Sequence, residues 1–381
     1  MKQMKKNKKK YVILGIFSVI IVVGLVAYLF YPKPANEKAK LNLEKVSPEP
    51  VKNVREEWNE LTLERMVGRI SEEIQSTWNK TGVVWKGTDF SNYQVLFLQE
   101  SSDGGYDEIA YLIDQEREVG KVQYKDIKKF VLKSQGSPFF KSASNKLNGI
   151  PTMTISVEPN YFVGETFKQY ELTSLTNSFK YYVYCTHEEF HNTQQNWKLK
   201  KFKANHDFSE VSSMYKLKQT RFETLYHLEQ AILYPKSKDE SLAYAKWWWE
   251  KYRTDYLDMY KGSYWSDILE GTADYFDMAM NARTELGMNP DKNKILLKYQ
   301  EMIKEDYSLE TLRNSKNDIL RDSYSLGAVS GMLLELYGPN NWQEQVMDDG
   351  ELMQDILFYN VKSKETSATL EVSNLLTEIY Q

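Results

Sequence analysis

The chain holds a single cysteine, Cys185. No disulfide can close within it, and its stability has to come from packing. Histidine is nearly as scarce: four in 381 residues, two of them only four positions apart. Residues 11–31, YVILGIFSVIIVVGLVAYLFY, carry no charge at all. No small-residue cleavage site follows that run and no cysteine nearby offers a lipid-attachment point, so it does not read as a cleaved leader. No internal repeat period is present. Aromatic residues, by contrast, make up 14% of the chain, enough to fill a sizeable core.

At about 1.5 Å per residue, the uncharged run spans roughly 30 Å as a helix, the thickness of a bilayer core. Six lysines and no acid precede it in MKQMKKNKKK. Such a block stays on the cytoplasmic side. The expected layout is therefore a cytoplasmic tail (1–10), a single transmembrane anchor (11–31), and everything beyond on the outer face of the cell membrane, extracellular in a bacterium. Taking the six lysines off the whole-chain net charge of −4 leaves −10 on the residues past 31. That balance argues against nucleic acid as a partner. Residues 32–55, rich in proline and lysine, read as a stalk, with one domain over 56–381.

The first part of that domain mixes a helix, REEWNELTLERMVGRISEEIQ (55–75), with strands. YQVLFLQE (93–100) and DEIAYLI (107–113) flank an Asp-Gly-Gly turn and read as a hairpin. In TMTISV (152–157), after a turn at Asn148-Gly149, Met153, Ile155 and Val157 share one face and Thr152, Thr154 and Ser156 the other. This predicts a half-buried strand, either interior to its sheet or at an edge to which an extended peptide could add through main-chain hydrogen bonds. From 177 onward, helical spacing predicts segments at roughly 177–197, 208–234, 239–261, 264–286, 295–305, 318–337 and 367–379. The three consecutive tryptophans 247–249 sweep too wide an arc for one helix face, which leaves at least one ring off the main core. A small, mostly antiparallel sheet followed by a large helical body is an α+β fold.

CTHEEFHNTQQNW (185–197) carries the chemistry. On a helix, His187 and His191 lie one turn apart on one face and can both reach a single metal ion at about 2.0–2.1 Å. Glu188 sits on the adjoining edge, within reach of a water at that ion. Cys185 points to the opposite side, as a buried thiol. Downstream, SDILEGTADYFDMAMNAR (266–283) places Asp267, Glu270, Asp274, Asp277 or Met278, and Asn281 along one narrow line between apolar walls. A polar line that narrow predicts a helix buried nearly all round, whose carboxylates need a cation or strong donors. Two histidines and a carboxylate from this second helix make a three-ligand site for one Zn²⁺ ion, with a fourth position open. Glu223 and His227, also four apart, are the alternative source of the third ligand. Gly271 and Ala273 on one helix, and Gly327 and Gly331 on another, offer faces for close helix packing.

HEEFH followed by EGTAD resembles the gluzincin metallopeptidases, the thermolysin-like branch of the zincins. The resemblance covers two short helices; beyond them only the order of elements over 150–337 is similar. It implies a zincin-like fold with His187, His191 and Glu270 as zinc ligands and Glu188 as catalytic base. It further implies Asp274 as the acceptor that holds an imidazole N–H. In that family a tyrosine or histidine beyond the third ligand stabilises the oxyanion; Tyr324 fills that place here, with His227 and His206 in reserve. One departure stands out, since far more chain separates His191 from Glu270 than in compact members. Two long helices must be inserted there. The function expected is a membrane-anchored zinc metallopeptidase acting on a peptide or protein substrate outside the cell. The alternative is an inactive protein of the same fold that binds zinc or peptide at the cell surface.

Overall fold

The computed structural model describes residues 41–48, 63–101, 105–131, 135–136, 140–157, 177–202, 214–305 and 321–380. The tail 1–10, the run 11–31, most of 32–55 and His206 lie outside them. Among the described residues, no helix is long and apolar enough to cross a membrane.

Among the described residues, seven strands form one sheet: β1 (Glu44–Val46), β2 (Gln94–Gln99), β3 (Ile109–Ile113), β4 (Val119–Gln123), β5 (Gln135–Gly136), β6 (Phe140–Leu147) and β7 (Ile150–Val157), in spatial order β1-β4-β3-β2-β7-β6-β5. All pairings are antiparallel except β2 with β7. One of the two expected turns, at Asn148-Gly149, sits where the sequence put it; most of the Asp-Gly-Gly turn lies outside the described residues. β2 and β3 pair as a hairpin with Val95 opposite Ile113. Asn148 (φ 57°) and Gly149 (φ 85°) make the tight turn between β6 and β7, where an asparagine-glycine pair tolerates left-handed backbone at little cost.

Two expectations need correcting. The segment read as a stalk contributes β1, so the folded domain starts by residue 44 and not at 56. Leu43 lies against Gly120, Val46 packs on the core, and Lys45 pairs with Glu118. The strand is three residues long and mostly exposed, so it leaves almost no hydrophobic period to read. The second correction concerns 152–157, which is an interior strand held by β2 on one side and β6 on the other. Its polar face is buried as well: Thr152, Thr154 and Ser156 are each at most 1% exposed. No free edge is available there for an added peptide.

Both faces of the sheet are covered. Val95, Phe97, Ile113, Met153, Ile155 and Val157 join the main core. There they meet α1 (Leu63–Thr77), through Met66, Val67, Ile70 and Ile74, and α3 (Asn177–Gln194), through Tyr182, Cys185 and Phe190. A smaller cluster of Leu96, Leu98, Leu112, Val122 and Leu147 closes the other face with the short helix α2 (Tyr124–Ile127), through Ile127.

The helical body comprises α4 (Met214–Leu233), α5 (Lys238–Asp255), α6 (Leu257–Leu286), α7 (Lys292–Glu305), α8 (Arg321–Tyr337), α9 (Trp342–Asp349), α10 (Met353–Phe358) and α11 (Leu370–Tyr380). The expected break near 262 falls instead at Tyr256 (φ −131°, ψ 46°), and Gly262 is carried inside α6. At 30 residues, α6 is about 45 Å long. Gly287 ends it at positive φ (φ 77°, ψ 165°), backbone that glycine adopts freely. Of the three tryptophans, Trp249 belongs to the main core, while Trp247 is half-buried with the Lys251 ammonium over its ring.

The contact between α6 and α8 sets the interior. Cβ atoms built on the two facing glycines show how close it is: one on Gly327 falls 2.1 Å from the Gly271 Cα, and one on Gly331 2.2 Å from the Tyr275 ring. A methyl group at 327 meets backbone, which cannot swing away. Gly327→Ala is expected to destabilise the fold by about 3 kcal/mol or more, read from the midpoint of chemical unfolding; an unchanged midpoint would show that the helices separate at no cost.

Candidate metal centre

Helix α3 is fixed against α6 by aromatic packing before any polar contact is made. Phe190 stacks on Phe276 with centroids 4.3 Å apart, and Trp85 lies edge-on to Phe190 at 5.2 Å. At the next turn, the Trp78 Nε1–H donates to Thr186 Oγ1 at 3.1 Å. The adjoining part of the same side of α3 carries His187 and His191 towards the acidic line of α6. That line is buried as its narrowness predicted: Asp267, Glu270, Asp274, Asp277 and Asn281 are each 8% exposed or less.

His187, His191 and Glu270 come together, with one ligand atom from each within 4.8 Å of the others. Glu270 Oε2 lies 3.3 Å from His187 Nε2 and 3.5 Å from His191 Nε2. Ligands about 2.05 Å from a tetrahedral ion stand roughly 3.3 Å apart, so these separations suit one small divalent cation.

The surrounding hydrogen bonds fix which nitrogens face inward. Gln194 donates through Nε2 to the Leu269 carbonyl at 2.7 Å and to Thr272 Oγ1 at 2.8 Å. Its Oε1 is therefore an acceptor, and it receives the Nδ1–H of His191 at 2.6 Å. His187 donates its Nδ1–H to Asp277 Oδ2 at 2.8 Å. With both Nδ1 positions occupied as donors, each Nε2 of a neutral ring turns a lone pair on the Glu270 carboxylate. Lone pairs facing an anion at 3.3–3.5 Å need a positive charge between them, supplied by protons or by a metal. The donor set of two imidazoles and one carboxylate fits zinc.

The resemblance placed Asp274 as the imidazole acceptor. In the structure Asp277, nearly one turn further along α6, holds His187, and Gln194 holds His191. Asp274 stands close by, in a second cluster with His187 and Asp277. The choice between 274 and 277 depends on how α6 is rolled against α3, which spacing along one helix does not encode. Glu188 is half-buried on the adjoining edge of α3. The Tyr324 ring stacks on that of His187 at 6.0 Å and 18°, with its hydroxyl towards Glu270. Glu223 and His227 lie together elsewhere on α4, 3.8 Å apart, and Glu223 Oε1 accepts the Thr369 N–H at the start of α11. They do not join the histidine pair of α3.

Electrostatics follow from these contacts. Burial pulls the His187 imidazole down, but Asp277 and Glu270 outweigh it and hold the ring well above the usual histidine value. Burial raises the Glu270 carboxyl, and His191 and His187 together bring it far below the usual carboxylate range. Asp277 is pushed up to about 6 by burial, against the pull of His187. Burial and then the Glu270 charge keep the Tyr324 phenol protonated well above its usual range. The Cys185 thiol is buried and pushed up as well, and it takes no part.

Sequence reasoning missed Glu189, which is fully buried beside Glu188 and raised to about 8 by desolvation. Its Oε1 accepts from Asn192 at 2.6 Å, while Oε2 has no partner among the described residues. It belongs to an odd run of two glutamates, but nothing local tells which of them faces the interior.

Two measurements follow. Asp277→Asn is expected to weaken zinc binding about 10–100-fold, and Asp274→Asn by clearly less, in competition titrations with a chromophoric chelator; the reverse order would return the orienting role to Asp274. A carboxyl raised on folding contributes stability that is fully present below the unfolded value and is lost as pH climbs to the folded one. The neutral variant Glu189→Gln should therefore gain on the parent between about pH 4.5 and 8, by about 5 kcal/mol at the upper end. A constant difference across that range would contradict it. In comparisons with known proteins, no family model matches the chain, and no curated protein or solved structure matches it either.

Proposed function

We propose that the chain is a zinc-dependent metallopeptidase of zincin-like fold, held at the cell membrane by residues 11–31 with its N-terminus in the cytoplasm and its catalytic domain outside. The observation that carries this reading is the pair of inward-facing Nε2 atoms on one carboxylate oxygen, at 3.3 and 3.5 Å, from side chains no more than 15% exposed. In this reading one Zn²⁺ ion is held by His187, His191 and Glu270, the substrate is a peptide or protein, and nucleic acid is not a partner.

When bound, zinc supplies a lowered water pKa and polarisation of the scissile carbonyl. The residues of the chain account for the rest. Glu188, one position past the first ligand, takes the proton from the attacking water and delivers it to the leaving amine. Tyr324 retains its proton and donates a hydrogen bond to the oxygen on which negative charge develops. Asp277 and Gln194 hold the two imidazoles in the tautomer that leaves Nε2 free. Glu270 stays ionised at any working pH because its carboxyl lies so far below the usual range.

The test is Glu188→Gln in the full-length protein. Turnover of a peptide library is expected to fall about 10²–10⁴-fold while one zinc per chain is retained. Zinc bound to an active parent, with full turnover in the variant, would remove Glu188 from the chemistry. Zinc bound with no turnover even in the parent would favour the inactive binding protein. Asp277 and Glu270 raise His187, and Glu270 raises His191, against the pull of burial, so zinc uptake competes with protons for the two Nε2 atoms. Binding near pH 7 is therefore expected to release protons and to strengthen as pH rises, measured by calorimetry in buffers of different ionisation enthalpy. Binding without proton release would contradict the assigned protonation.

A further inference from the structure

The helix inserted between the two motifs has no part in the chemistry above, yet it sends its charged side chains into the same interior. Arg221 of α4 is 3% exposed. It donates from Nη1 and Nη2 to the Asp267 carboxylate at 3.1 and 2.7 Å, from Nε to Asp322 Oδ2 at 2.5 Å, and from Nη2 to Ser323 Oγ at 3.0 Å. Lys218, one turn earlier, reaches Asp322 Oδ1 at 2.8 Å. Asp267 lies one turn before Glu270 on α6; Asp322 and Ser323 immediately precede Tyr324 on α8. One guanidinium thus grips the two functional helices at the turn next to the metal ligand and next to the tyrosine.

We infer that Arg221 is a positioning residue for the proposed reaction, setting the Tyr324 hydroxyl relative to Glu270. The inference rests on the metallopeptidase reading. Two constraints make up the device. The Gly271–Gly327 contact fixes the distance between α6 and α8, but helices that touch through glycine can still slide and roll. The planar fork of Arg221 binds a carboxylate on each and so fixes their register. Stability alone does not call for such a group. A buried ion network is often matched or bettered by apolar residues of the same size, so its contribution here is orientation. Lysine cannot replace it, since an ammonium lacks the paired, fixed donor directions.

The experiment combines Arg221→Lys, Tyr324→Phe and the double variant in the full-length protein, each assayed for kcat, KM, zinc content and thermal midpoint. Tyr324→Phe is expected to cost about 10²-fold in kcat. Arg221→Lys should cost about tenfold to a hundredfold with KM and zinc content little changed. Once Tyr324 has become phenylalanine, adding Arg221→Lys should cost nothing more, because there is no hydroxyl left to misplace. Losses that multiply in the double variant would overturn the inference, as would a kcat loss matched by lost zinc. If Arg221→Lys does not fold, Ser323→Ala removes one of its contacts and should show the same pattern at smaller size, again only while Tyr324 is present; a full effect on the phenylalanine background would overturn it. A parent without zinc or turnover overturns this inference and the parent reading together. An active zinc-bound parent with multiplying losses overturns this inference alone.

Discussion

Carboxylates buried on a single helix cannot stay ionised without positive charge beside them, and that constraint shapes the interior of this protein. Asp267, Glu270, Asp274 and Asp277 all sit in the dry part of α6. Each uncompensated charge there would cost several kcal/mol. The neighbouring helices supply what is needed, in two ways. Asp267 is met by a permanent cation, Arg221. Glu270 and Asp277 are met by His187, and Glu270 also by His191, groups whose charge depends on protons or on a metal. The first arrangement is fixed at every pH and suits a frame; the second can be exchanged and suits a site.

Packing decides that these partners meet. Phe190 on Phe276 holds α3 on α6, and the bare backbones of Gly271 and Gly327 bring α8 within reach. The Gln194 amide then links the two kinds of order. It ties the end of α3 to the backbone of α6 while accepting the His191 proton. A helix contact thereby sets an imidazole tautomer.

Much of this was legible in the sequence, and the exceptions share a cause. The histidine pair could be read because i and i+4 share a helix face whatever lies opposite. Glu270 could be read because a polar line walled by apolar residues predicts burial. The β2–β3 hairpin and the Asn148-Gly149 turn are likewise local. What could not be read depended on the far side of a contact. Alternation in 152–157 tells which residues share a face, but says nothing of the strands that enclose them or of the cluster burying the threonines. The choice of Asp277 over Asp274 needs the roll of α6 against α3. The role of Arg221 needs three helices at once, and β1 is too short to carry a period.

The central claim is that two imidazole Nε2 atoms and the Glu270 carboxylate share one ion and leave a position open. X-ray absorption on the zinc-loaded protein addresses it most directly. The account predicts a four-coordinate shell at about 2.0–2.1 Å, with scattering from two imidazole rings and two oxygen neighbours, losing its carboxylate contribution in Glu270→Ala. A six-oxygen shell, a single imidazole, or a spectrum indifferent to Glu270→Ala would contradict it.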